Sequence, residues 1–92
     1  MLVFRSKNFE KSLKKILSSG KVRLIEVQKA IDILANNEKL PLRYRDHSLQ
    51  GDWKGYRECH VRPNVLLVYQ KLEKEIVVLI IADIGSHAEL FR

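Results

Sequence analysis

The chain has 92 residues, 46% hydrophobic and 30% charged, a length for one domain over 1–92 and a composition that excludes a disordered or fibrous protein. Its 17 Lys and Arg outnumber its 11 Asp and Glu, giving a formal charge of +6, which favours a polyanionic partner, nucleic acid ahead of anionic membrane. A single cysteine, Cys59, excludes an internal disulfide framework and a cysteine-cluster zinc site, and makes the cytoplasm the expected compartment.

In chain order, Leu2 to Arg5 reads as a short opening strand. Phe9, Leu13, Ile16 and Leu17 recur at helical spacing, and Gly20 ends that helix. Leu24, Val27, Ala30, Ile31 and Leu34 mark a second helix that Asn36 and Asn37 stop. With Gly20 alone between them, the two helices form an antiparallel hairpin. Pro41 to Trp53 reads as a polar connection. Three strands follow, Gly55 to Val61, Val65 to Tyr69 and Ile76 to Ala82, with turns at residues 61–64 and 72–75. Gly85 breaks the last strand, and SHAELFR closes the chain. The order β-α-α-β-β-β predicts an α+β fold, an antiparallel sheet packed against an N-terminal helical hairpin.

The opening MLVFRSKNF has no long apolar run and no small-residue cleavage site, so no secretory leader is expected. The longest apolar run, residues 76–82, falls far short of the roughly 20 residues of a spanning helix. The basic helices also lack the broad apolar or Trp-rich face of a membrane-surface helix, so no membrane role is expected.

The charge excess is local. Residues 1–30 carry eight Lys and Arg against two acids, whereas residues 31–92 carry nine of each. Lys7, Lys11, Lys14 and Lys15 fall mostly off the apolar stripe of the first helix. Together with Lys21 and Arg23 they form a candidate polyanion-binding face, the alternative being a face that only confers solubility.

The candidate chemistry lies in the second half. It holds all three histidines, His47, His60 and His87, the side chain best matched to proton transfer near neutral pH. Period two places Tyr56, Glu58 and His60 on one face of a strand and Arg57, Cys59 and Val61 on the other. A Glu two residues before a His on one face is a plausible acid–base pair. Cys59 then faces away from His60 and reads as a small core residue rather than a nucleophile. The histidines with Glu58 and Asp46 offer zinc-type ligands, but no tight metal spacing is present. The four glycines are scattered, so there is no Gly-rich phosphate loop. Trp53 reads as a packing anchor, with base stacking as the alternative, and Phe91 either docks against the body of the protein or stacks on a base.

The ordered set of motifs resembles the YafQ branch of the RelE/ParE toxin superfamily. It comprises D-H-x-L-x-G-x-W over 46–53, R-E-C-H-x-x-P over 57–63, L-L-V-Y over 66–69 and G-S-H-x-x-L-F over 85–91. The resemblance implies a toxin of a type II toxin–antitoxin module: a ribosome-dependent, metal-independent mRNA endoribonuclease with no cofactor. In it the message's own 2′-hydroxyl attacks the adjacent phosphate, leaving a 2′,3′-cyclic phosphate or 3′-phosphate and a 5′-hydroxyl. The implied partners are a DinJ/RelB-like antitoxin, the ribosome with its mRNA, and operator DNA bound only by the toxin–antitoxin complex.

Under that resemblance the catalytic set is His47, Glu58, His60, His87 and Phe91. His60, supported by Glu58 and His47, takes the 2′-OH proton, His87 acts as acid, and Phe91 holds the message. The division of acid and base among the histidines stays open at this stage. The nucleic-acid contacts are Lys7, Lys11, Lys14, Lys15, Lys21, Arg23, Arg45, Tyr56, Arg57 and Asn64, although Arg57 can reach a phosphate only if the alternation breaks. Two positions depart from the family pattern. Asn64 stands where Asp usually follows the proline, and Asp83 stands where Arg is common. The alternative is therefore a weakened relative that only binds nucleic acid and antitoxin as an operon corepressor. A metal-dependent hydrolase is a further competing class, distinguished by its response to chelator.

Overall fold

The computed structural model describes residues 1–91. Strand β1 (Leu2–Arg5) is followed by helices α1 (Lys7–Ser18) and α2 (Leu24–Ala35). The chain then runs through a 3-10 turn at Leu42–Tyr44, β2 (His47–Ser48) and a second 3-10 turn at Gly51–Trp53. Strands β3 (Arg57–Arg62), β4 (Val65–Glu73) and β5 (Val77–Gly85) and a one-turn helix α3 (His87–Leu90) complete it. The five strands form one sheet in the order β1-β5-β4-β3-β2.

The helices form where apolar residues repeat at 3.6. Phe9, Leu13 and Ile16 of α1 and Val27, Ala30, Ile31 and Leu34 of α2 are buried. They meet Cys59, Val65, Leu67, Tyr69, Leu79, Ile81 and Ile84 from one face of the sheet. Ser6 caps α1: its Oγ accepts from the Phe9 amide at 2.9 Å and donates to the Ala82 carbonyl at 2.6 Å, so one hydroxyl both starts the helix and ties it to β5. Phe9 itself is 0% exposed, and burying such a ring is worth about 1.5–3 kcal/mol.

Several expectations change in detail. The polar connection contains β2, whose two residues pair antiparallel with Arg57 and Glu58; a two-residue strand carries no readable alternation. Strands β2 to β5 are antiparallel, as expected, but β1 joins β5 in parallel. Five residues, not Gly20 alone, separate the helices; Gly20 takes the left-handed φ of +76° that ends α1. Leu24 is 53% exposed, because it opens α2 before the helix reaches the sheet. The strand β4 runs on to Glu73, and the closing SHAELFR forms α3, held by a Ser86–Glu89 capping box.

On β4 the residues Val65 to Tyr69 are all buried, so Leu66 and Val68 are covered on the sheet face away from the helices. That second face carries the candidate site.

Cys59 is fully buried on the helix-facing side, as a small core residue. Burial first, then the nearby Asp46 and Glu58 charges, push its thiol from 9.0 up to about 12. The expected result is a thiol inert to alkylating reagent at pH 8, reacting only at the rate of unfolding. Above pH 9 the unfolded thiol ionises while the native one stays protonated. Stability is therefore complete below that pH and falls as pH rises toward about 12, by at most about 1.4 kcal/mol per pH unit. Tyr69, raised by burial and by its hydrogen bond to Asp46, adds to the same loss at still higher pH. Urea midpoints measured from pH 8 to 11 check this, with a shallower decline expected in Cys59→Ala.

Candidate active site

The β2–β3 ladder sets His47 directly across from Glu58, and period two puts His60 on the same face of β3. The result is a compact triad. His47 Nε2 lies 2.9 Å from Glu58 Oε1, and the His47 and His60 ring centroids are 6.4 Å apart. Glu58 is only 5% exposed, and its Oε2 is buried with no hydrogen-bond partner.

Two main-chain carbonyls fix the histidine rings. Arg45 adopts a left-handed φ of +50° at the end of the first 3-10 turn, and its carbonyl lies 2.7 Å from His47 Nδ1. Both ring nitrogens of His47 thus face acceptors, the Arg45 carbonyl and the Glu58 carboxylate. The two contacts together fix the plane and direction of the ring. His60 differs. Its Nδ1 lies 3.2 Å from the Pro63 carbonyl, a group that only accepts, so Nδ1 donates there and Nε2 is the nitrogen left to face a substrate.

A second cluster stands beside the triad. The ring of Trp53, from the second 3-10 turn, packs edge-on against Tyr56 at 5.3 Å and against Phe91 at 6.2 Å. The rings of Phe91 and His87 are 5.0 Å apart. His60 pairs with Leu66 and Leu66 with Gly85, so the start of the α3 segment lies two strands from His60, about 10 Å at the usual strand spacing. His87 follows two residues later on α3. Trp53 is therefore a packing anchor, and Phe91 is half-buried, docked on Trp53 rather than in the main core.

Not every expected residue joins the triad. Arg57 lies on the opposite face, and its guanidinium donates to Asp46 Oδ2 at 2.9 Å; Asp46 also accepts from the Tyr69 hydroxyl. That hydrogen bond holds Arg57 above the ordinary guanidinium range and commits it to a structural network, because the alternation does not break. Lys7, Lys11, Lys14, Lys15, Lys21 and Arg23 are all exposed on the helical layer, and Lys15 reaches Glu89 of α3 at 3.5 Å. Asn64 is exposed in the β3–β4 turn, next to the Pro63 carbonyl that holds His60. Asp83 accepts from Asn8 Nδ2 at 3.0 Å and from the Ile84 amide at 2.8 Å, so its carboxylate is tied to the start of α1. Among the described residues no three His, Cys, Asp or Glu side chains converge to hold a metal ion. The carbonyls of Arg45 and Pro63 were missed by sequence reasoning, since a main-chain acceptor leaves no residue-type signal.

The comparisons with known proteins agree with one another. A family model described as "Bacterial toxin of type II toxin-antitoxin system, YafQ" matches residues 2–92. A curated relative from Escherichia coli strain K12, "mRNA interferase toxin YafQ", is 44% identical over 59 residues, covering 64% of this chain and 61% of its own. The match thus spans 61% of the length of this relative, and 40% of that of one from Haemophilus influenzae, 51% identical over 41 residues. The crystal structure of YafQ from E. coli BL21(DE3) superposes with a TM-score of 0.90 at 34% identity, over 98% of this chain and 97% of that one. YafQ in the E. coli DinJ-YafQ toxin-antitoxin complex gives 0.85 at 34% identity, over 98% and 96%. With this RelE-like fold and a family match over all but the first residue, the chain belongs to the YafQ family of bacterial toxins of type II toxin-antitoxin systems.

Proposed function

We propose that this toxin is a cytoplasmic, ribosome-dependent mRNA endoribonuclease that needs no metal or cofactor and uses the message's own 2′-hydroxyl as nucleophile. The observation that carries the reading is the histidine pair: His47 and His60 lie 6.4 Å apart, with His47 2.9 Å from the buried Glu58 and His60 tied to the Pro63 carbonyl at 3.2 Å. An acid–base cleavage of RNA needs groups of this kind, held in place for proton transfer.

In the proposed reaction the 2′-OH gives its proton to His60 Nε2 while its oxygen bonds the adjacent phosphorus. The phosphorus–O5′ bond breaks, and His87 protonates the leaving oxygen. The products are a 2′,3′-cyclic phosphate, which water opens to a 3′-phosphate, and a 5′-hydroxyl. His47, held between Glu58 and the Arg45 carbonyl, supports His60 in taking the 2′-OH proton. Phe91 and Tyr56 hold the bases, and Asn64 contacts the strand beside His60. Lys7, Lys11, Lys14, Lys15, Lys21 and Arg23 grip ribosomal RNA through phosphates. An antitoxin of the DinJ type neutralises the toxin, supported by the E. coli relative found in a DinJ-YafQ complex, and operator DNA is bound only by the pair.

The test is message cleavage on programmed ribosomes in excess chelator, comparing wild type with a His60→Ala, His87→Ala double variant. Cuts that persist in chelator and vanish in the double variant support the reading. A wild type that binds ribosomes but never cuts supports the corepressor alternative, for which the charge reversal at Asp83 would be the first residue to examine.

A further inference from the structure

Beyond the triad, a groove of about 480 Å³ opens between α2, the 42–45 turn and the part of β3 that extends past β2. Its cations are Lys29, Arg43, Arg45 and Arg62, against a single carboxylate, Glu26. Arg62 grips Glu26 bidentately at 2.7 and 3.1 Å, which holds the Glu26 carboxyl below its ordinary range. Among the described residues the other three cations have no ion-pair partner.

The groove is also pre-shaped. The Arg43 guanidinium lies 4.9 Å above the ring of Tyr44, a buried residue, which fixes the plane of its donors. The backbone of Arg45 is set in its left-handed conformation, with its carbonyl on His47. His60 lines the groove and belongs to the triad as well, so the two are continuous.

We propose that this groove is a phosphate track for single-stranded RNA, holding the backbone of the message on one side of the bond that is cut, with Lys29, Arg43 and Arg45 as the contacts. The proposal rests on the nuclease reading for its biological substrate, since a strand whose phosphate sits at His60 must leave along a neighbouring channel. Planar guanidiniums suit phosphate oxygens, and unpaired cations release bound counterions when they engage a polyanion.

The experiment is fluorescence anisotropy of a fully 2′-O-methylated RNA hexamer, which cannot be cut, without ribosomes and across a range of salt. The proteins are wild type, a Lys29→Ala, Arg43→Ala double variant, and Lys74→Ala as a charge-loss control on the far β4–β5 turn. The expected result is binding about tenfold weaker in the double variant, with the salt slope reduced by about 0.7 for each phosphate that is no longer neutralised. Lys74→Ala should bind as wild type. Equal affinity and slope in wild type and double variant would overturn the proposal, as would no binding by wild type at 50 mM salt, set at about that low value to favour phosphate contacts. Displacement of the hexamer by a hexaglutamate peptide of higher affinity would overturn it in favour of an acidic protein partner. Because the hexamer cannot react, groove binding that disappears in the double variant sustains the proposal even if wild type proves unable to cut messages. Unchanged binding beside active cutting removes the proposal and leaves the nuclease reading intact.

Discussion

His60→Ala is expected to lower ribosome-dependent cleavage by about 10²–10⁴-fold, the usual contribution of a positioned general base, or about 3–5 kcal/mol of barrier. The side chain lies on the partly exposed surface of β3 and makes one hydrogen bond, to the Pro63 carbonyl, so the fold should survive its loss. Circular dichroism and urea midpoints near those of wild type would separate a chemical defect from an unfolded protein. The wild-type rate should be bell-shaped in pH, since a base must be free of its proton while an acid keeps its own. The residual rate of His60→Ala should lose the limb on the acidic side. His47→Ala should behave differently: it leaves the buried Glu58 side chain without its partner, so both activity and stability fall.

The second large effect is structural. Phe9→Ala is expected to cost about 3–5 kcal/mol, because the ring is wholly buried where α1 lies on β5 and the ties of the Ser6 hydroxyl prevent the helix from collapsing into the space. For a small domain with about 5–15 kcal/mol in all, that is a large share. Urea unfolding followed by the fluorescence of Trp53, the one tryptophan, measures it. Trp53 packs on Tyr56 and Phe91, outside the core cluster that holds Phe9, so a loss seen there reports cooperative unfolding rather than a local change. A cost below about 1 kcal/mol would mean that α1 repacks freely, contrary to the close packing of the core.

Much of this architecture was legible because it rests on periodicity. Phe9, Leu13 and Ile16 repeat at helical spacing, and they are the residues α1 buries. Period two on β3 separated Glu58 and His60 from Arg57 and Cys59, and the structure keeps that separation. The motifs that carried the family resemblance also carried the fold. What was not legible depends on distant pairing. The strand β2 is too short to alternate, and with it went the register that brings His47 onto Glu58. The parallel union of β1 with β5 depends on the whole path of the helical hairpin. The orientation of the histidine rings depends on the carbonyls of Arg45 and Pro63, and the first of these reaches His47 only through a left-handed turn at a non-glycine residue. The groove beside His60 gathers Lys29, Arg43 and Arg62 from three separated segments, so linear charge counting, which pointed to the first 30 residues, passed over it.

The central claim is that the message supplies its own nucleophile. The most direct measurement places one 2′-deoxynucleotide at the 5′ side of a mapped cut in an otherwise natural message on programmed ribosomes, with chelator present. The account predicts that cleavage at that bond disappears while neighbouring cuts persist, and that unmodified message yields a cyclic phosphate or 3′-phosphate end. Cleavage that continues at the deoxy position, or that leaves a 5′-phosphate, would contradict it.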